Sequence, residues 1–224
     1  VTASVTDAAG NTGSGTHNVT VDTGLPSVSF NAISDDNVLI AVEKGQDLSV
    51  SGTSANLTEG TVVTVILNGK NYTATTAADG TWSLTVPAAD LAGLGQASYT
   101  LNATATNGVG NSVSNTANLL VDTALPTVTI NTVAGDNVIN AAEVAAGQTL
   151  SGTVANAEAG NTVTVTIGGH SYTATVQNNL SWSVNVPSDV LTALGNGSLS
   201  VTATVTNGHG NTGTGEREIA IDAN

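Results

Sequence analysis

The 224-residue chain contains no cysteine and no methionine. Without cysteine there is no disulfide framework, and no thiolate to act as nucleophile or metal ligand. Cations are almost as scarce. Three Lys and Arg stand against 17 Asp and Glu, a formal charge of −14. That excludes a nucleic-acid-binding face, which needs clustered Lys or Arg, and argues against an anionic membrane surface. Aromatics make up 3% of the chain, a small supply for a sugar or peptide groove. No apolar run reaches the ~20 residues of a bilayer span, so no membrane insertion is expected in this segment. No basic stretch followed by an apolar one opens the chain, so no signal peptide is expected. The chain opens at Val1 in the middle of a pattern, and the expectation is a segment of something longer.

What is present points to β-structure. The hydrophobic fraction is 40%, enough to build cores, and Gly, Thr, Ser, Asn, Ala and Val dominate the rest. The sequence also repeats itself. Asp22-Thr23-Gly24-Leu25-Pro26 returns 100 residues later as Asp122-Thr123-Ala124-Leu125-Pro126. The same offset relates Asp36-Asn37-Val38 to Asp136-Asn137-Val138, Ser51-Gly52-Thr53 to Ser151-Gly152-Thr153, Trp82 to Trp182 and Pro87 to Pro187. Asn107-Gly108-Val109-Gly110-Asn111 returns as Asn207-Gly208-His209-Gly210-Asn211, and Asp7 to Asn11 lies one period before it. The organisation expected is the last strands of one repeat (1–22), a whole repeat (23–122) and a second whole repeat (123–224).

Within a repeat, polar and apolar residues alternate. Residues 162–167 (TVTVTI), 81–86 (TWSLTV) and 198–205 (SLSVTATV) follow the two-residue period of a strand with one buried face. Further strands are expected at 27–33, 47–53, 72–76 and 112–121. Asn68-Gly69, Asp79-Gly80, Gly168-Gly169 and Asn196-Gly197 mark turns between them. About seven short strands in 100 residues predict an all-β fold: tandem immunoglobulin-like β-sandwich domains in an elongated array. Residues 87–94 are the one stretch expected to make a helical turn. Trp82 and Trp182 share the inward face with Leu84, Val86, Val184 and Val186, which makes them core residues rather than a sugar platform.

Catalytic machinery is not expected. His17, His170 and His209 are not repeated at their partner positions, and no two have metal-ligand spacing. No Ser sits in a strand-to-helix elbow, and no glycine-rich loop precedes a helix. The acids are more informative, because they gather near the repeat boundaries with almost no cations to pair with. Carboxylates and amide oxygens held together without Lys or Arg repel unless a cation sits among them. Calcium suits such a set, since it takes six to eight hard oxygens in loose geometry. The candidate ligands are Asp7, Asp22, Asp36, Glu43, Asn107, Asp122, Asp136, Asn140 and Glu143. Asp122 is expected to touch an ion held by the following loop, where Asp136 and Glu143 sit.

The motif order Val-Asp-Thr-x-x-Pro, Asp-Asn-x-x-x-Ala-x-Glu, Ser-Gly-Thr, Gly-x-x-Val-Thr-Val, Trp-Ser-x-x-Val-Pro and Thr-Asn-Gly-x-Gly-Asn resembles the bacterial Ig-like repeats of giant type I-secreted adhesins. These are BapA/SiiE-like, biofilm-associated surface proteins of Gram-negative bacteria. The resemblance covers essentially the whole chain. It implies secretion without an N-terminal signal peptide, a location on the cell surface, and calcium near the domain junctions. It carries the ligand role to Asp22, Asp122, Asp36, Glu43, Asp136 and Glu143. Two departures make the junctions unequal. Asn107 and Asn207 replace Asp7, and Ile40 stands where Asn140 does.

The function implied is that of a spacer. Rod-forming repeats, stiffened by calcium, contact neighbouring repeats of the same chain and carry a receptor-binding region elsewhere in the protein toward a host cell or biofilm matrix. The alternatives are a glycan- or protein-binding Ig-like module and an accessory domain of a secreted enzyme.

Overall fold

The computed structural model describes residues 1–224. In chain order its strands and helices begin with β1 (Thr2–Thr6), β2 (Thr12–Thr16), β3 (Ser27–Phe30), β4 (Val38–Leu39), α1 (Ala41–Lys44), β5 (Leu48–Ala55), β6 (Val62–Leu67), β7 (Lys70–Thr75), β8 (Thr81–Val86), α2 (Ala88–Leu91), β9 (Ala97–Thr106) and β10 (Ser112–Val121). The series then recurs as β11 (Thr127–Ile130), β12 (Val138–Asn140), α3 (Ala141–Ala146), β13 (Gln148–Ala155), β14 (Thr162–Ile167), β15 (His170–Thr175), β16 (Ser181–Val186), α4 (Ser188–Leu194), β17 (Gly197–Thr206) and β18 (Thr212–Asp222). Two compact units form. One comprises Val1–Asn31, Ser51–Leu84 and Asn102–Ala117. The other comprises Ala32–Val50, Thr85–Leu101 and Asn118–Asn224.

The second unit contains a full sandwich. Its sheets run β11-β13-β16 and β12-β18-β17-β14-β15. The inward residues of the alternating strands form one core with Ile130, Leu150, Val163, Val165, Ile167, Trp182, Val201 and Ile221, while Thr and Ser occupy the outward positions. Helix α4 links the two sheets between β16 and β17, and it buries Leu191. This is the helical turn expected from residues 87–94 and their copy. The outer strand β12 runs parallel to β18, with Val138, Ile139 and Asn140 opposite Ala220, Ile221 and Asp222. In the same unit β4 runs parallel to the end of β10, with Leu120 opposite Val38 and Val121 opposite Leu39.

The first unit repeats these pairings one period earlier. β3 is antiparallel to β5, and β6 is antiparallel to both β7 and β9. The β6–β7 turn falls on Asn68-Gly69, both with positive φ (49° and 77°), as a two-residue hairpin requires. The Ser-Gly-Thr motif is explained by packing. A Cβ on Gly52 would lie 1.8 Å from the Ser29 carbonyl oxygen and 2.4 Å from the Trp82 ring, so only glycine fits there. β1 and β2 form a hairpin from Thr2 opposite Thr16 to Thr6 opposite Thr12.

Each repeat has eight strands rather than the expected seven. The additional ones, β4 and β12, are two and three residues long, too short to show an alternating pattern. Helices α1 and α3 also fall where a loop was expected. In α3 the signal is Asn140-x-x-Glu143, a reciprocal cap: the Asn140 side chain accepts from the Ala142 and Glu143 amides, and Glu143 accepts from the Asn140 amide.

Candidate functional site at the repeat junction

The junction at Asp122 is held by three short elements of the second unit. The first is the end of β4 with the start of α1. Because β4 lies parallel to β10, Asp122 N–H donates to the Leu39 carbonyl at 3.1 Å. That sets Ile40 and Ala41 beside the linker. The second element is the linker, where Asp122 Oδ1 accepts from Ala124 N–H at 3.1 Å. The third is the turn between β17 and β18, residues 207–211. Asn207 closes it by accepting from the amides of His209 (3.1 Å) and Asn211 (2.9 Å).

These elements interlock. Asn211 is 2% exposed. Its Nδ2 donates to the Asp122 carbonyl at 2.9 Å, and its Oδ1 accepts from Ala41 N–H at 3.0 Å. His209 Nδ1 lies 2.5 Å from Asp122 Oδ2. The hydrogen bond from the His209 imidazole holds the Asp122 carboxyl below the ordinary value, opposed by partial burial and aided by the Ala124 amide and by electrostatic attraction to the ring. Ile40 Cδ1 lies 3.7 Å from the position a Cβ on Gly210 would occupy.

The structure gives each sequence candidate a local hydrogen-bonding role. Asp7 accepts from the amides of Ala9 and Asn11 and from the Asn11 side chain, and these bonds lower its pKa, the Asn11 side chain foremost. Asn107 closes the equivalent turn through the amides of Val109 and Asn111. Asp and Asn thus do the same job at this position through one oxygen. Asp22 Oδ1 accepts from Gly24 N–H. Asp36 and Asp136 accept from the amides of Val38 and Val138. Glu43 and Glu143 cap their helices by accepting from the amides of Ile40 and Asn140. Backbone N–H groups, not neighbouring cations, compensate much of this negative charge. No three His, Asp or Glu side chains converge on a common point.

One expected grouping is corrected. Asp136 and Glu143 do not lie beside Asp122. Asn140 is opposite Asp222, at the far end of β18 from Asn211 and Asp122. Over the 11 residues of β18, ten steps of roughly 3.3 Å place the two ends about 33 Å apart. The linker carboxylate that accompanies residues 136–143 is therefore Asp222. Its counterpart Asp122 accompanies residues 36–43 of the preceding repeat and the turn of the following one. His209 was missed as a junction residue because it is not repeated, and nothing in the sequence signals a partner 87 positions away.

Calcium is implied for such junctions, and the residues around Asp122 do not fit it. Ile40 offers no side-chain oxygen where Asn140 carries an amide. Asp122 Oδ2 is paired with an imidazole, and the oxygens of Asn207 and Asn211 accept from backbone amides. Six to eight oxygens cannot be gathered from what remains. Elsewhere, an open cleft in the first unit is lined by Val62, Thr64, Thr104, Thr106, Ser112 and Val113 and has no aromatic wall for a sugar.

No protein-family profile matches the chain, and no curated protein is similar to it. Among solved structures, it is similar over 99% of its length to a Ca²⁺-stabilised adhesin that helps an Antarctic bacterium reach out and bind ice, with 36% identity and a TM-score of 0.62. The match covers 56% of that chain, so the present chain spans about half its length. A 1.5-MDa bacterial ice-binding adhesin, solved for its retention on the host cell surface, is 29% identical over 90% of this chain and 67% of its own, with a TM-score of 0.56. A bacterial immunoglobulin-like domain of the M. primoryensis ice-binding adhesin is 36% identical over 44% of this chain and 97% of its own, with a TM-score of 0.34. The fold is thus a tandem immunoglobulin-like β-sandwich, and its structural neighbours are domains of a large bacterial adhesin.

Proposed function

We propose that this chain is a stretch of spacer repeats in the stalk of a large bacterial surface adhesin, with boundaries at 1–22, 23–122 and 123–224. The observation that carries this reading is the recurrence of one sandwich at a 100-residue spacing, joined by a linker of five residues between β10 and β11. Pro126 restricts that linker, and the Asn211 bonds to Asp122 and Ala41 tie it down. A chain of such units separates a distal binding region from the cell. Similarity to a calcium-stabilised adhesin along 99% of the chain supports the same reading. Secretion by a type I route, a place at the cell surface and a part in biofilm formation of the BapA/SiiE kind go with this role. Calcium belongs, on this reading, at ends whose carboxylates keep a second oxygen beside their amide bonds, as Asp136, Glu143 and Asp222 do, with solvent filling the remaining positions.

Small-angle scattering tests the spacer role. The expected result is an elongated particle with the two whole repeats end to end. A compact particle with the sandwiches side by side overturns it.

A further inference from the structure

We propose that the joint made by residues 40–43, Asp122 and residues 207–211 is closed by the protein's own side chains and takes no metal ion. The array then contains two chemically distinct kinds of joint. This inference rests on the spacer reading for its purpose and on the geometry around Asp122 for its substance.

Two departures from the repeat meet at this place. His209 stands where the other copies have Val109 and Ala9, and Ile40 stands where the next copy has Asn140. Each removes something an ion needs. His209 puts an imidazole nitrogen 2.5 Å from Asp122 Oδ2, so the ring takes the position beside the carboxylate that a cation would take. Ile40 replaces an amide oxygen with an aliphatic chain whose tip reaches Gly210. An ion entering here would have to displace the ring and strip Asn211 from Ala41 and Asp122, for few oxygens in return.

What the ion would supply, the side chains supply. Asn211 is buried and ties both neighbouring segments through one amide, donating to Asp122 and accepting from Ala41. The imidazole–carboxylate pair adds a second tether, and the Ile40 side chain lies against Gly210. At the opposite end of the second sandwich, Asn140 sits across from Asp222, where the preceding copy has Ile40. A stalk with both kinds of joint keeps some links rigid whatever the calcium level.

Two spin labels test this in the full 224-residue chain. It has no native cysteine, so Ser98→Cys with Asn178→Cys, both exposed, gives unique labelling sites flanking the joint. The expected distance distribution is narrow and of equal width in millimolar calcium and in chelator. Adding His209→Val should broaden it in both buffers. Adding Ile40→Asn with His209→Asp should make the width depend on calcium, since the missing oxygens return. A parent distribution that is narrow in calcium and broad in chelator overturns the proposal by showing an ion in the joint. One that is broad in both shows that the side chains do not close it. Either failure leaves the spacer role standing, because scattering judges that separately.

Discussion

Asp122 and His209, 87 residues apart, meet through a carboxylate oxygen and an imidazole nitrogen at 2.5 Å. The contact bridges the linker and the β17–β18 turn, two segments that share no strand pairing at this point. Its energetic sign follows from the carboxyl. The bond from His209 lowers the Asp122 pKa in the folded protein. A carboxyl with a depressed folded pKa stabilises at pH above its unfolded value and loses that contribution as pH falls through the folded one. The pair therefore contributes fully above about pH 4 and fades below it. Asp122→Asn should lower stability at pH 7 by about 1 kcal/mol, a modest figure because the imidazole is open to solvent. The gap between variant and parent should close as thermal melts are taken to more acid pH. A gap that stays constant down to pH 2 would refute this account.

Asn211 should matter more than its counterpart Asn111. It is buried and makes side-chain bonds of 2.9 and 3.0 Å. The Asn111 side chain is half-buried and reaches Asp22 and Gly24 only at 3.5 and 3.4 Å. Asn211→Ala leaves the Ala41 N–H and the Asp122 carbonyl short of partners, at about 1 to 3 kcal/mol. Asn111→Ala should cost well under half of that. Denaturant melts of the two variants give the comparison, and equal losses would mean that Asn211 is not a tie.

The sandwich was readable from sequence because alternation, turn glycines and the 100-residue period all describe local or repeated features. TVTVTI at 162–167 can hide only one face, and Trp182 lies on it. The junction was less readable. The sequence singles out Asp22, Asp122 and the Asn207 turn as boundary residues, but their partners depend on which end of a sandwich each loop occupies. That is set by β12 lying parallel to β18, and three residues carry no alternation to announce it. Acid clustering was also open to two physical accounts. The Asp36, Asp136, Glu43 and Glu143 carboxylates accept backbone amides in turns and caps, a use that leaves the same composition as a metal site.

Calcium dependence should follow the corrected geometry. If calcium binds the folded chain alone, it raises stability by about 2.7 kcal/mol at a hundredfold excess over Kd. The unfolding temperature in calcium should exceed that in chelator, and magnesium should substitute poorly because it demands tighter octahedral geometry. The increment should disappear in Asp222→Asn, which alters the carboxylate opposite Asn140, and survive in Asp122→Asn. Loss in the second variant but not the first would return the ion to the Asp122 joint. Identical melts of the parent in both buffers would remove calcium from this chain.

The two tryptophans share a position but not a hydrogen-bonding state. Trp82 Nε1 donates to the Thr53 carbonyl at 3.2 Å, and its ring meets Phe30 edge-on, with centroids 5.4 Å apart and planes at 78°. Trp182 is equally buried, but its Nε1–H has no acceptor, and Ile130 takes the place of Phe30. Replacing either with Phe removes the same indole volume and opens a similar cavity, so that loss largely cancels between the two. What differs is the N–H. At Trp82 a hydrogen bond of about 1 kcal/mol is lost, whereas at Trp182 a buried unpaired donor costing about 1 to 3 kcal/mol is removed. Trp82→Phe should thus destabilise its strands more than Trp182→Phe does, by at least ~1 kcal/mol. Amide hydrogen exchange in β5 and β8, against β13 and β16, reads each sandwich separately. Equal effects, or a larger one at Trp182, would show that the two indoles are in equivalent settings.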